Sequence, residues 1–162
     1  GWPAAVTTLG IYKAFDQINR KLLYGLLTYA GFPARVLQAY ASHLEALTIR
    51  GSYALGLGQP TRRNTAIPQG CPMPMLGMAL ITTVWLRRMD QHPMSSMRAL
   101  ADDWMVDTSL RSCQEQEDVV EAHAEAVATT VDCMRDMGAR ASVDKSATTA
   151  TRRGTWSRTA QS

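Results

Sequence analysis

The stretch ALADDWMVD, residues 99–107, sets two adjacent carboxylates, Asp102 and Asp103, between two short apolar runs. Apolar arms over 97–101 and 104–106 around a two-residue centre predict a β-hairpin with the acidic pair at its tip. Like charges repel each other, so the pair needs water or a cation nearby. Two interpretations are open. One is a solvated turn, in which Asp is common; the other is a site for a hard divalent cation such as Mg²⁺, which prefers oxygen ligands.

The segments on either side of the hairpin predict an α+β domain. Their apolar, capping and turn residues predict the elements in chain order. These are a buried strand over 4–12, a helix capped by Asp16 or Asn19 and ended by Gly31, a helix over 33–46, short strands over 47–51 and 61–67, a helix over 75–90, the hairpin, a long helix opened by a capping box at 112–115 and closed by Gly138, and an extended segment over 139–149. This order predicts an antiparallel sheet backed by helices rather than alternating strand–helix units.

The length of 162 residues fits one domain, and the charge is unevenly spread along it. Residues 1–100 hold ten Lys and Arg against three acidic residues, whereas residues 101–162 hold seven against eleven. A basic first part suits a polyanionic partner such as nucleic acid. No apolar run approaches the ~20 residues that cross a bilayer and no signal peptide is visible, so we expect an intracellular protein, the nucleus included. The three cysteines have no CxxC spacing, which predicts incidental thiols rather than a zinc site.

A pair of magnesium ions needs more than the two hairpin carboxylates. Two such ions about 4 Å apart polarise a phosphate and activate a hydroxyl nucleophile. A third carboxylate from a neighbouring strand bridges the ions in such a site. The predicted first strand, over 4–12, is therefore the place to search for it.

Three motifs in order carry a family resemblance: IYKAFDQI (11–18), IPQGCP (67–72) and LADD (100–103). They resemble the successive core motifs of reverse transcriptases, most closely those of non-LTR retrotransposons and group II introns. The segments KLLYGLLTYAGFP and MGARASVDKS are similar to the same family, and the resemblance covers most of residues 4–150. It implies a polymerase palm, a sheet backed by helices that acts as an RNA-directed DNA polymerase. An RNA template, a DNA primer and a dNTP are the implied partners, and two Mg²⁺ ions are the implied cofactors.

The resemblance also implies catalytic roles for individual residues. Asp102 is the main metal ligand of the hairpin, with Asp103 beside it. Lys145 matches a lysine that protonates or pairs with the departing pyrophosphate. The alternative for Lys145 is a solvated lysine at the end of a strand.

The same resemblance implies contacts with the incoming nucleotide. Phe15 lies under the sugar and excludes a 2′-hydroxyl, although an aromatic side chain ahead of a helix suits the core equally well. Gln69 and Gly70 form a loop that touches the nucleotide and the template, where glycine allows close backbone approach.

The sequence departs from the family pattern at several positions. The family places an Asp six residues before the one in AFD, and this chain has Gly10 there. Asp16 does not replace it, because six extended residues span about 20 Å. Leu100 stands where an aromatic residue precedes ADD, and QGCPMPML lacks the Ser of the family's P-x-S-P run. We therefore expect a metal site that lacks its third ligand and a chain that is inactive as written.

The domain boundaries follow from the extent of the resemblance. Residues 1–150 form a partial palm in this interpretation, with the fingers and thumb missing, and residues 151–162 form an irregular tail. The chain opens on GWPAAV without a Met, which leads us to expect a fragment.

Three hypotheses about function stand side by side. The first is a reverse transcriptase fragment, an enzyme class that performs template-directed nucleotidyl transfer. The second is a degenerate, non-catalytic remnant that binds nucleic acid through Arg62, Arg63, Arg87 and Arg88, although these arginines equally suit a solvated face. The third is an unrelated α+β structural domain with a fortuitous acidic turn.

Overall fold

The computed structural model describes residues 4–54, 56–63, 65, 67–68, 73–109, 116–152 and 155–159. Its helices are α1 (Ala14–Gln17), α2 (Arg20–Tyr29), α3 (Ala34–Ala46), α4 (Met73–Met89) and α5 (Gln116–Asp136), with a 3₁₀ helix at Val143–Lys145. Its strands are β1 (Ala4–Gly10), β2 (Ser52–Tyr53), β3 (Gly56–Leu57), β4 (Ser95–Leu100), β5 (Asp103–Ser109), β6 (Ala147–Arg152) and β7 (Thr155–Thr159). The mixture of helices and strands confirms the predicted α+β class.

The main sheet has five strands in the order β4-β5-β1-β6-β7, and every neighbouring pair is antiparallel. The predicted first strand is β1, which lies at the centre between β5 and β6. The end of the chain differs from the expected irregular tail. β6 continues to Arg152, and residues 155–159 form β7 along its edge.

The two faces of the sheet have different surroundings. Side chains alternate between the faces along each strand. On the covered face, Trp104 and Val106 of β5 are fully buried beneath α4 and α5. On the open face, Val6 of β1 and Met105 of β5 are only half-buried. The ring of Trp104 stacks on Trp85 of α4, with centroids 4.5 Å apart and planes 11° from parallel, so the hairpin is fixed to the helical layer.

A buried polar network joins α5 to the covered face. His123 Nε2 lies 2.7 Å from Thr7 Oγ1, and its Nδ1 lies 3.0 Å from Thr108 Oγ1. The threonine hydroxyls extend the network to Thr148 and Ser95. Burial lowers the pKa of His123, an effect that the nearby Asp107 carboxylate partly opposes. The network therefore suits a neutral imidazole, which offers one donor and one acceptor.

The first helices begin and end largely where the sequence predicts. The Asn19 side chain accepts hydrogen bonds from the backbone N–H groups of Lys21 and Leu22 and so caps α2. Asp16, the other predicted cap, lies within the short α1. Gly31 follows α2 with a φ of 78°, the left-handed conformation that commonly ends a helix.

The connection between α3 and α4 differs from the prediction. The paired strands are β2 and β3, whereas the predicted strands over 47–51 and 61–67 meet at an isolated bridge between Ile49 and Thr61. Pro60 lacks the N–H that a continuous ladder needs at this point. Further along the chain, α4 confirms the predicted helix over 75–90. The predicted capping box at 112–115 lies outside the described residues. Among the described helices, none has the length and hydrophobicity to cross a membrane.

Candidate active site

The acidic pair lies where β4 turns into β5. Leu100 and Asp103 are the last pair of this ladder, so the two turn residues are Ala101 and Asp102. The prediction places the turn at Asp102 and Asp103, which is one residue further along the chain than the observed turn. The reason lies in the backbone: Ala101 has a left-handed φ of 54° and leaves the strand, so Asp103 pairs with Leu100 and its side chain lies on the open face, opposite to that of Trp104.

Gly10 stands directly beside the acidic pair. It is the partner of Asp103 in the β1–β5 ladder, and the N–H of the next residue, Ile11, donates to the carbonyl of Asp102 at 2.9 Å. A Cβ atom built on Gly10 would lie 3.3 Å from Asp103 Oδ1. The position at which the resemblance expects a third carboxylate is thus adjacent to the two hairpin carboxylates.

Lys145 reaches the same end of the sheet. The N–H of Ser142 donates to the carbonyl of Gly10 at 2.7 Å, and the 3₁₀ helix begins at the following residue. This turn brings Lys145 Nζ to 3.8 Å from Asp102 Oδ2. The lysine side chain is 60% exposed and that of Asp102 is 27% exposed, so water screens the ion pair. Asp102, Asp103, Gly10 and Lys145 therefore lie together at one end of the sheet.

The residues present do not fit the divalent ions of an intact site. Asp102 and Asp103 supply oxygen atoms that Mg²⁺ prefers. Within the described part of the chain, however, no three His, Cys, Asp or Glu side chains lie close enough to hold a metal ion. Gly10 has no side chain to donate, and the ammonium group of Lys145 already faces Asp102. A positive charge at that place opposes the binding of a second cation.

Phe15 lies in α1, next to the residue that begins the IPQGCP motif. Phe15 is half-buried and packs against the hydrophobic core, and its carbonyl accepts a hydrogen bond from the N–H of Ile67 at 2.9 Å. This bond sets the beginning of the IPQGCP motif beside α1. Gln69 and Gly70 themselves lie outside the described residues. The core contact of Phe15 suits its structural interpretation and does not test its proposed contact with a sugar.

The structure separates the four candidate arginines into two groups. Arg62 is exposed, and Arg63 lies near it with Nη1 3.7 Å from Asp16 Oδ1. Arg87 and Arg88 end α4, where Arg88 forms an ion pair with Asp136 of α5. The second pair therefore belongs to the helical layer that covers the opposite face of the sheet from Asp103.

Sequence reasoning missed the contacts that hold Lys145 in place. Arg140 lies over the ring of Tyr12, with its guanidinium carbon 4.4 Å from the ring centroid, and its carbonyl accepts from the Tyr12 N–H. Ile11 forms a bridge with Ala141, one residue before Ser142. These contacts join segments about 130 residues apart in the sequence, so no local pattern marks them.

The family of this chain follows from its sequence profile. The profile described as reverse transcriptase (RNA-dependent DNA polymerase) matches residues 3–159, almost the whole length. The chain belongs to the reverse transcriptase family. A comparison with curated protein sequences finds no match.

Two solved telomerase structures have the same fold as this reverse transcriptase chain. Telomerase from Candida tropicalis in complex with a fragment of telomeric RNA matches 95% of the chain with a TM-score of 0.70 and 11% identity. Apo telomerase from Candida tropicalis, truncated of its C-terminal domain, matches 96% with a TM-score of 0.69 and 12% identity. The chain spans 27% and 33% of these telomerase chains. The similarity confirms the predicted palm-like antiparallel sheet with its hairpin and backing helices.

Proposed function

We propose that this chain forms the palm of an RNA-directed DNA polymerase that does not catalyse nucleotidyl transfer as its sequence stands. The observation that carries the proposal is the position of Gly10, opposite Asp103 and beside Asp102, where the family pattern has a carboxylate. Two carboxylates with a glycine in the third place do not make the two-ion site on which the family's chemistry depends. Among the described residues, β1, β4, β5 and the 3₁₀ turn are all formed around the site, which supports a loss of chemistry without a loss of this part of the scaffold.

The partners and the type of enzyme belong to the same proposal. An RNA template, a DNA primer and a dNTP are the substrates of the reaction, and Mg²⁺ suits the oxygen ligands of an intact site. A protein with these partners would act inside the cell, in the nucleus or in another compartment. The order of the motifs at 11–18, 67–72 and 100–103, and the residues within them, favour the non-LTR retrotransposon and group II intron type. Phe15, Gln69 and Gly70 remain the residues that we propose to contact the nucleotide.

Primer extension tests the proposal. The unmodified chain is incubated with an RNA template annealed to a DNA primer, dNTPs and either Mg²⁺ or Mn²⁺, with an active reverse transcriptase as the positive control. We expect no incorporation above background while circular dichroism shows the chain to be folded. Clear incorporation by the unmodified chain would contradict the inactive interpretation.

A second candidate function is nucleic-acid binding without catalysis. The observation that favours it is the basic pair Arg62 and Arg63, both exposed, in a region where basic residues outnumber acidic ones. Contacts with phosphates release counterions, so the affinity should fall as salt rises. Arg87 and Arg88 lie in the helical layer and supply a matched control pair.

Fluorescence anisotropy with a labelled RNA–DNA duplex tests this second function. We expect the double variant R62A/R63A to weaken binding. The slope of log affinity against log salt concentration should also become shallower, by the amount that corresponds to about one to two lost phosphate contacts. R87A/R88A should leave the affinity close to that of the unmodified chain. Equal losses for the two variants, or no binding by the unmodified chain, would contradict a nucleic-acid site at Arg62 and Arg63.

A further inference from the structure

Lys145 occupies the space into which a side chain at position 10 would extend. A Cβ atom built on Gly10 would lie 2.6 Å from Lys145 Cβ and 3.2 Å from its Cδ. Real Cβ atoms do not come within 3.0 Å of another heavy atom in this way. Lys145 Cβ is fixed by its own backbone, since the Lys145 N–H donates to the Ser142 carbonyl within the 3₁₀ turn. A rotation of the lysine side chain therefore does not relieve this contact.

The lysine also supplies charge where an intact site would hold a metal ion. Its stem crosses the space beside Gly10, and its ammonium group reaches Asp102 Oδ2 at 3.8 Å. The same space borders Asp103 Oδ1, 3.3 Å from the built Cβ. One side chain thus fills the volume of the expected third carboxylate and places a cation beside the pair.

We propose that Lys145 acts as a tethered cation in this site and that Gly10 and Lys145 are mutually dependent. The proposal rests on the proposed function, since it treats the acidic pair as the remainder of a metal site. Glycine at position 10 allows the 3₁₀ turn to approach β1, and this approach puts the single positive charge of the Lys145 ammonium group beside Asp102. Restoring a carboxylate at position 10 alone does not recreate a divalent site, because Lys145 still occupies the space and repels the ion.

Binding of Mn²⁺ tests this dependence without any need for activity. The free ion is followed by electron paramagnetic resonance in titrations of the unmodified chain, G10D, K145G and G10D/K145G. K145G is chosen because alanine would keep the Cβ atom that contacts position 10. We expect G10D to bind Mn²⁺ no more tightly than the unmodified chain, and G10D/K145G to bind about tenfold more tightly than either single variant, a non-additive gain typical of residues in contact.

The comparison of these four proteins can contradict the proposal in two ways. If G10D alone binds Mn²⁺ as tightly as G10D/K145G, the lysine does not block the site and the proposal is wrong. It is also wrong if the double variant binds no more tightly than K145G. Near-ultraviolet circular dichroism of the stacked Trp85 and Trp104 shows which variants are folded.

A variant that leaves position 10 untouched guards against misfolding of G10D. K145M keeps the length of the stem and removes its charge, so we expect it to bind Mn²⁺ more tightly than the unmodified chain by about threefold, the effect of one screened charge. D102N introduced into K145M should remove this gain and so locate the ion at the acidic pair. Equal Mn²⁺ affinities of K145M and the unmodified chain would overturn the role of the charge.

The two proposals fail in different experiments. Incorporation of nucleotides by the unmodified chain would overturn the inactive palm. A tight Mn²⁺ site in G10D alone would overturn the dependence between Gly10 and Lys145 and would leave the inactive palm standing. A tenfold gain confined to G10D/K145G supports both.

Discussion

Two neighbouring residues of β5, Asp103 and Trp104, face opposite sides of the same sheet and meet different requirements. Trp104 is fully buried, stacks on Trp85 and belongs to the hydrophobic core. Asp103 is exposed and lies opposite Gly10, near Lys145. The covered face therefore carries the packing that holds the fold, whereas the open face carries the groups to which the proposed function assigns the chemistry.

Under the proposed function, this difference explains how a palm would lose its chemistry and keep its fold. Because side chains alternate along a strand, a substitution on the open face leaves the contacts of the covered face unchanged. In that proposal, Gly10 stands in the place of a carboxylate on the open face, and no core side chain is lost with it. The consequence for experiment is that truncation on the covered face should cost the most stability, whereas ion binding should respond to substitutions on the open face.

Truncation of Trp104 should have the largest effect on stability. W104A removes the stack on Trp85 and opens a cavity in the core, so we expect a loss of about 3–5 kcal/mol in the free energy of unfolding. W104F should cost less, because it keeps an aromatic ring and removes an indole N–H that has no hydrogen-bond partner among the described residues. Urea unfolding followed by circular dichroism measures both values.

The next residue of the strand supplies the matched control for Trp104. Met105 is half-buried on the open face, and M105A should cost about 1 kcal/mol or less. Similar losses for W104A and M105A would show that the two faces of β5 contribute equally, against the comparison drawn above.

Addition of a single methyl group at Gly10 should have the next largest effect. The Cβ of G10A would collide with Lys145 Cβ, so we expect a loss of about 1–3 kcal/mol. Gly25 lies within α2 with open space around it, and G25A should instead stabilise the chain by about 0.5–1 kcal/mol. Thermal or urea unfolding of the two variants measures the difference in sign.

Two double variants show whether Lys145 is the cause of the loss in G10A. K145G removes the colliding Cβ and should restore most of the lost stability in G10A/K145G, relative to K145G alone. K145A keeps that Cβ and should restore none. Equal rescue by both substitutions would assign the loss to the lysine's charge or stem and not to the contact between the Cβ atoms.

The sequence predicts the covered face more fully than the open face, for physical reasons. Apolar periodicity and capping residues locate β1, α2, α4 and the hairpin, since these signals act over a few residues. The ordered motifs likewise lead to Asp102, Asp103 and Gly10. The register of the turn is less accessible, because it depends on a left-handed φ at Ala101 that an alanine rarely adopts. The contact between Gly10 and Lys145 depends on backbone geometry across 135 positions, and no local pattern encodes it.

The buried His123 should make the covered face sensitive to pH. Burial lowers its pKa from the ordinary value of 6.5, so the unfolded chain binds the proton more readily than the folded chain. Stability should therefore be fully present above about pH 6.5 and fall as the pH falls below it. We expect the melting temperature to fall more in the unmodified chain than in H123Q between about pH 7.5 and about pH 5.5.

The variant H123Q isolates the histidine from other titrating groups. Glutamine does not titrate and retains polar atoms for the hydroxyls of Thr7 and Thr108, at an overall cost of about 1 kcal/mol at neutral pH. All other ionisable groups are common to the two proteins, so the difference between their pH profiles reports the histidine. Parallel pH profiles for the two proteins would show that His123 stays protonated or unprotonated to the same extent in the folded and unfolded states.

Relief of backbone strain in the hairpin turn should have the smallest effect on stability. Ala101 has a φ of 54°, a left-handed conformation that is unfavourable for a residue with a Cβ atom and favourable for glycine. A101G should therefore stabilise the chain by about 0.5 kcal/mol, the relief of backbone strain less the extra entropy of the unfolded chain. Ala99 lies two residues earlier in the extended strand β4, where A99G should destabilise by about 0.5–1 kcal/mol. Urea unfolding measures both, and a loss in A101G as large as that in A99G would mean that the turn is not strained. Because the change lies at the boundary between the two faces, it should alter stability without altering the Mn²⁺ affinity of K145M.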